Sequence, residues 1–293
     1  MEDSGKIMPA RYIFALCLFF ISFTVGAESF RVIVAGSLEI SLDRQGETVP
    51  LHYNDSVLVS LGEDTRFFRG IELELSAPQR WPEYQGSLAM AVYAELDSAP
   101  PAGVADLQGR RVAFEPLPGK IQIVYQIPSR DSHGLKSSPY VTVLPFVSSD
   151  SFPLLFRVMP VIKGMSDELE SMVFQFNARP VLSDEGAVKI SPRYPEQLRG
   201  RPFTVLIDDT LIPNHGEEML LKEGEHHLVI LSDDYRNESR RFVVERAKTL
   251  DLIVELQDPT PLLIFEAPQN AQVFLNGAPV PRERDSIPVE PGN

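Results

Sequence analysis

Apolar and polar residues alternate with a period of two through most of this chain, the spacing that sends successive side chains to opposite faces of a strand. Leu38, Ile40 and Leu42 alternate with Glu39, Ser41 and Asp43, and Ile71, Leu73 and Leu75 alternate with Glu72 and Glu74. Each run predicts a half-buried strand. Residues 121–127, 140–144, 152–162 and 250–256 read the same way, several of them rich in β-branched residues. Proline and glycine punctuate these runs at Ala99-Pro-Pro-Ala-Gly103, Pro116-Leu-Pro-Gly119 and Asp258-Pro-Thr-Pro261, which predict turns or linkers. Helix is expected only over Ser166-Asp-Glu-Leu-Glu-Ser171, where a capping serine precedes acids in the first turn, and over Pro195-Glu-Gln-Leu-Arg199.

Many short strands without alternating βα units predict an all-β chain, with an antiparallel β-sandwich over residues 28–198. Strands that contain proline, around Pro145 and Pro160, are expected at edges or bulges, because proline cannot donate to a central ladder. The segment Ser191-Pro-Arg-Tyr-Pro195 is the expected hinge. Beyond it the chain repeats itself. Phe203-Thr-Val-Leu-Ile-Asp-Asp209 matches Ala271-Gln-Val-Phe-Leu-Asn-Gly277, Leu211-Ile-Pro213 matches Pro279-Val-Pro281, and Lys222-Glu-Gly224 matches Glu290-Pro-Gly292. The offset is constant (275 − 207 = 68) and needs no gap. Such constancy predicts duplicated β-modules, over 199–257 and, incompletely, over 258–293.

The turn chemistry of these units is explicit. Asn276-Gly277 after an apolar strand is a hairpin signal, since a type I′ turn needs positive φ at both central positions. The second unit also reads Pro268-Gln-Asn-Ala271, and the first carries Glu223-Gly-Glu-His226 ahead of the strand His227 to Leu231, then Tyr235 and Arg240 to Val244. In these features residues 201–293 resemble the PEGA domain, a small all-β module of bacterial envelope and surface proteins, usually found in tandem. Asp208-Asp209 departs from the Asn-Gly of that pattern, and the first unit has no Pro-x-x-Ala ahead of its strand. The resemblance implies a non-catalytic envelope role. Because the second unit reaches only the point where the first continues into His226 to Leu231, it is expected to need further chain or a partner strand to complete its ladder.

Composition adds a compartment. Lys6 and Arg11 precede an apolar run from Tyr12 to Val25 that ends in Val25-Gly26-Ala27, the form of a secretory signal peptide over residues 1–27. The sole cysteine, Cys17, sits inside that run, so cleavage leaves a chain without disulfides or thiolate metal sites. Export predicts a periplasmic or cell-envelope location, with no direct membrane insertion after the leader is removed. The formal charge of −14, from 41 acidic and 27 basic residues, argues against nucleic acid and against an electrostatic grip on anionic polymers.

Catalytic signatures are absent from the sequence: no Gly-rich dinucleotide loop, P-loop, nucleophile elbow or His-Glu-x-x-His occurs. Asp131-Ser-His133 has the letters of a triad but packs them into one loop, where adjacent side chains cannot converge. His215, His226 and His227, with Asp208, Asp209 and Glu225 nearby, form the one cluster with metal-ligand chemistry, yet His226 and His227 point to opposite faces of a strand. No catalytic residue, metal or cofactor is assigned. Trp81-Pro-Glu-Tyr84 offers the best small-ligand candidate, because Trp81 and Tyr84 can present flat faces to a sugar ring. The expected function is therefore an exported, non-catalytic scaffold that holds an envelope protein partner. A module that binds cell-wall carbohydrate or peptidoglycan through Trp81 and Tyr84 is the alternative.

Overall fold

The computed structural model describes residues 27–43, 47–264, 266, 268, 270–280 and 286–289. The leader expected over 1–27 lies outside the described residues but for Ala27. The fold is all-β, as the period-two pattern predicts, with one short α-helix among the described residues, α1 (Asp167–Glu170). Its start follows from chemistry, because the Ser166 hydroxyl accepts from the Leu169 amide at 3.3 Å and Leu169 is buried.

Two sheets build the N-terminal unit. One contains β1 (Glu28–Ile40), β3 (Asp55–Leu61), β9 (Leu154–Pro160), β5 (Leu88–Ala94) and β6 (Gly103–Pro116), in that order, and closes into a barrel. The other runs β2 (Thr48–Leu51), β10 (Phe174–Leu182), β4 (Phe68–Ser76), β7 (Gln122–Pro128), β8 (Val141–Val143). The two share one core, in which Val57, Met90 and Phe156 of the barrel meet Leu73, Ile123 and Phe176 of the open sheet, and Phe156 stacks on Phe176 at 4.5 Å. Closure has a local cause. The register of β1 shifts between Val34 and Gly36, so Val32 and Val34 face the barrel interior while Leu38 and Ile40 face the shared core. The first half of β1 pairs with β6 and the second half with β3, which folds one flap of the sheet over the other. As a result β5, Leu-Ala-Met-Ala-Val-Tyr-Ala, is buried at every position, as a strand with two covered faces must be.

The expectation of a wholly antiparallel sandwich does not hold. β1 runs parallel to β3, and β7 parallel to β8. Proline does lie where ladders stop: Pro160 ends β9, and Pro180 sits in the part of β10 that β2 does not reach. Pro145 follows β8 rather than lying inside a strand.

A second core gathers β11 (Glu185–Arg193), β12 (Thr204–Ile207), β13 (Thr210–Leu211), β14 (Met219–Lys222), β15 (Gly224–Leu231), β16 (Glu238–Val244) and β17 (Thr249–Glu255). β11 lies between β14 and β17, parallel to the latter, and puts Val188 and Ile190 into this core. Packing therefore passes from the first unit to the second between Leu182 and Glu185, not at residue 198. Ser191–Arg193, read from sequence as a hinge, is strand paired with Ile253–Glu255. Its Pro192 is tolerated because β14 covers only residues 185–188 of β11. β12, β13, β15 and β16 form the facing sheet, ordered β13-β12-β15-β16.

The second copy comprises β18 (Leu262–Ile264), β19 (Phe274–Leu275), β20 (Ala278–Pro279) and β21 (Ser286–Pro288). Its hairpin repeats the first in register: Leu206↔Leu211 and Ile207↔Thr210 become Phe274↔Pro279 and Leu275↔Ala278. The closing hydrogen bond from Ile212 N to Val205 O recurs from Val280 N to Val273 O. β18 pairs with β21 as β11 pairs with β14, with Leu262↔Pro288 standing for Ala187↔Leu220. This identifies β11 as the opening strand of the first module, seven residues farther from its hairpin than the constant offset allows (262 − 187 = 75).

Candidate functional site

The turn of the first module is where its polar chemistry concentrates. Asp208 and Asp209 both adopt positive φ (48° and 62°), as do Asn276 and Gly277 of the second (50° and 82°). Two left-handed residues fit the type I′ geometry that the right-handed twist of the flanking strands favours. Asp208 holds this position through its side chain. Its carboxylate accepts from the His227 amide at 2.9 Å and from His226 Nδ1 at 2.6 Å, while His226 Nε2 lies 2.8 Å from the Lys222 carbonyl. Donation from the His227 amide, then from His226, holds the Asp208 carboxyl below its ordinary range against a smaller opposing effect of burial. For His226, burial alone lowers the imidazole, but the Lys222 carbonyl and Asp208 together outweigh it and raise it. Both ring nitrogens thus face acceptors, which is the arrangement of an imidazolium. Sequence reading missed this role for Asp208; the signal was an Asp-Asp turn one strand away from a His-His pair.

These residues do not converge on a metal. His227 turns the other way, with Nε2 at 2.7 Å from Ser239 Oγ, and the His215 ring packs against Phe203 at 4.7 Å. Among the described residues no three His, Cys, Asp or Glu side chains gather as metal ligands. In the loop Asp131-Ser-His133, His133 Nδ1 accepts from the Leu135 amide at 2.9 Å, which occupies the nitrogen a triad would need.

Trp81 and Tyr84 are placed by a 3₁₀ turn, Trp81–Tyr84, that carries Pro82 near its start. Trp81 is wholly buried, packs edge-on to Phe174 at 5.4 Å, and donates its indole N–H to the Pro118 carbonyl at 2.7 Å. Neither of its faces is open to a sugar. Tyr84 packs partly against the same core and donates its hydroxyl to Glu168 at 2.6 Å. The expected aromatic platform is a corner of the hydrophobic core, because a tryptophan beside a strand end is worth more buried than displayed.

The larger surface feature is on the second copy. Leu263 and Ile287 stand where the first module buries Val188 beside Met219, yet Leu263 is 38% exposed and Val188 is 0%. Its neighbours Leu262, Ile264 and Phe274 are exposed as well. In the first module β15 lies antiparallel on β12, with Leu228 opposite Ile207 and Ile230 opposite Val205.

No protein-family model matches this chain, and no curated protein does. Among solved structures, the Bacillus anthracis TIE protein is similar at 9% identity and a TM-score of 0.22, over 80% of this chain and 41% of that one. The chain spans about two fifths of the length of that protein. A likeness this distant carries no argument about fold or function.

Proposed function

We propose that this protein is an exported cell-envelope scaffold whose tandem PEGA-like modules hold a protein partner. One observation carries the reading. The second module repeats the hairpin of the first in register, with Phe274↔Pro279 and Leu275↔Ala278 standing for Leu206↔Leu211 and Ile207↔Thr210, as tandem modules that bind or space other proteins do.

A photo-crosslinking residue placed at Phe274 in cells that export the protein tests this. The expected result is one discrete adduct with an envelope protein, lost when Val273 and Leu275 are replaced by Asp. Adducts that are absent, or that persist in the double variant, would overturn the reading. So would turnover of a small-molecule substrate by the purified protein.

A further inference from the structure

The turn of the second module differs from its twin in what holds it. Asp208 is tied to β15 through the His227 amide and His226, whereas the side-chain amide of Asn276, in the same left-handed position, has no hydrogen-bond partner among the described residues. Asn276 and Gly277 are both exposed. The hairpin closes through Leu275↔Ala278 and through Val280 N to Val273 O at 2.8 Å, which leaves the Gly277 amide unbonded between them. A Cβ at Gly277 would meet nothing within 4 Å, so the approach to that nitrogen is open. Each strand of this hairpin is two residues long, and a sheet so small opens readily.

An unheld side-chain amide beside an unheld, unshielded backbone nitrogen is placed to react with it. The other asparagines among the described residues each lack a condition. The amide after Asn54 donates to the His52 carbonyl at 3.2 Å, and that after Asn270 to the Pro268 carbonyl at 3.0 Å. Asn237 accepts from the Ser232 amide at 2.9 Å through its side-chain oxygen. Asn177 lies within β10, between β2 and β4. Asn214 is followed by His215, whose ring packs on Phe203 rather than leaving the next nitrogen bare.

We propose that Asn276 is a site of spontaneous deamidation. The Gly277 nitrogen bonds to Asn276 Cγ as the Cγ–Nδ2 bond breaks, its proton leaves with the departing ammonia, and a five-membered imide forms. Water then opens the imide at either carbonyl, to aspartate or to isoaspartate, with no change of oxidation state. Aspartate reproduces the first module, where Asp208 fills the same place in an intact hairpin. Isoaspartate routes the main chain through Cβ, so the turn gains an atom and the pairing Leu275↔Ala278 no longer fits. The turn thus carries a slow, irreversible route to opening the hairpin, whatever the modules hold.

Incubating the purified protein in mildly alkaline water enriched in heavy oxygen, then mapping its peptides by mass spectrometry, tests this. Label should enter residue 276 at least tenfold faster than any other asparagine, with isoaspartate in excess. Asn276→Gln, which would have to close a six-membered ring, should slow it at least tenfold. Hydrogen exchange at the Val280 amide should lose its protection in the isoaspartyl form and keep it in Asn276→Asp. Label entering another asparagine as fast, or an Asn276→Gln chain that gains acid at the parent's rate, would overturn the assignment. An isoaspartyl chain with Val280 still protected would overturn the opening of the hairpin.

Discussion

At the scale of single residues, the molecule shows how a polar side chain can replace a preferred turn residue. Asp208 stands where the second module has Asn276, and its carboxylate ties the hairpin to both His226 and the backbone of β15. The groups facing His226 are Asp208, the Lys222 carbonyl and the Phe242 ring at 5.6 Å. His226 is raised above its ordinary value near 6.5, so its contribution to stability is complete below that value and is lost as pH rises through the raised one. Asp208 is depressed below its ordinary value near 3.8, so its contribution is present above that value and lost as pH falls through the depressed one. The first module should therefore be most stable between about pH 4 and 6.5. Thermal melts should fall by a few degrees from pH 6.5 to 8.5, and His226→Gln should remove that slope. An unchanged slope in the variant would locate the titrating group elsewhere. Trp81 makes a second residue-scale case. As the sole tryptophan and wholly buried, it should emit at short wavelength and resist quenching both by acrylamide and by cell-wall fragments. Trp81→Ala should cost about 3–5 kcal/mol in denaturant unfolding.

At the scale of elements, local pattern and long-range pairing divide the credit. Ile71, Leu73 and Leu75 alternate and bury one face of β4 in the shared core, as their spacing demands. The hairpins of the two modules were legible too, because turn residues and apolar positions recur together at one offset. Trp81 was not legible, since what covers an aromatic at a strand end depends on Phe174 and Pro118, which lie far along the chain. β11 was misassigned to the first unit for a similar reason: its partner β17 begins about sixty residues later, and a parallel pairing leaves no hairpin signal in the sequence. One residue of β11 does mark its close quarters. A Cβ added at Gly186 would stand 2.3 Å from the Glu245 carbonyl oxygen and 2.7 Å from Val244 Cγ1, so the strand fits there only without a side chain. Gly186→Ala should destabilise the C-terminal core by the upper part of about 1–3 kcal/mol. A variant as stable as the parent would mean that β16 and β17 do not close over β11 as described.

At the scale of the whole molecule, the joint between the two cores is built as a fastening rather than a linker. The Ser183 amide donates to the Phe67 carbonyl at 2.7 Å, and Arg246 donates through Nε to the Ser183 carbonyl at 2.8 Å and through a terminal nitrogen to Leu182 at 2.7 Å. Arg130 pairs with Glu185 at 3.3 Å, and Arg66 reaches Glu218 across the same joint. Backbone bonds and an arginine spanning successive carbonyls restrict rotation in a way that exposed ion pairs alone do not. The scaffold role proposed above, presenting a module in a fixed direction, requires such a joint. The second copy is held differently: β18 to β21 form two-stranded sheets of their own, and none of their strands enters a sheet of β1 to β17. Two-stranded sheets are marginal by themselves, so these residues contribute little to the folding of what precedes them. A chain ending at Gln257 should then melt within about 2 °C of the parent and in the same single transition, read by calorimetry. It should also lose the proposed crosslinked partner, since the second module goes with the deletion. Arg246→Ala should act in the opposite sense, leaving the partner bound while separating the melt into two steps as the cores uncouple. A truncated chain that unfolds many degrees earlier would show that the second copy braces the others, and the presentation argument would fail with it.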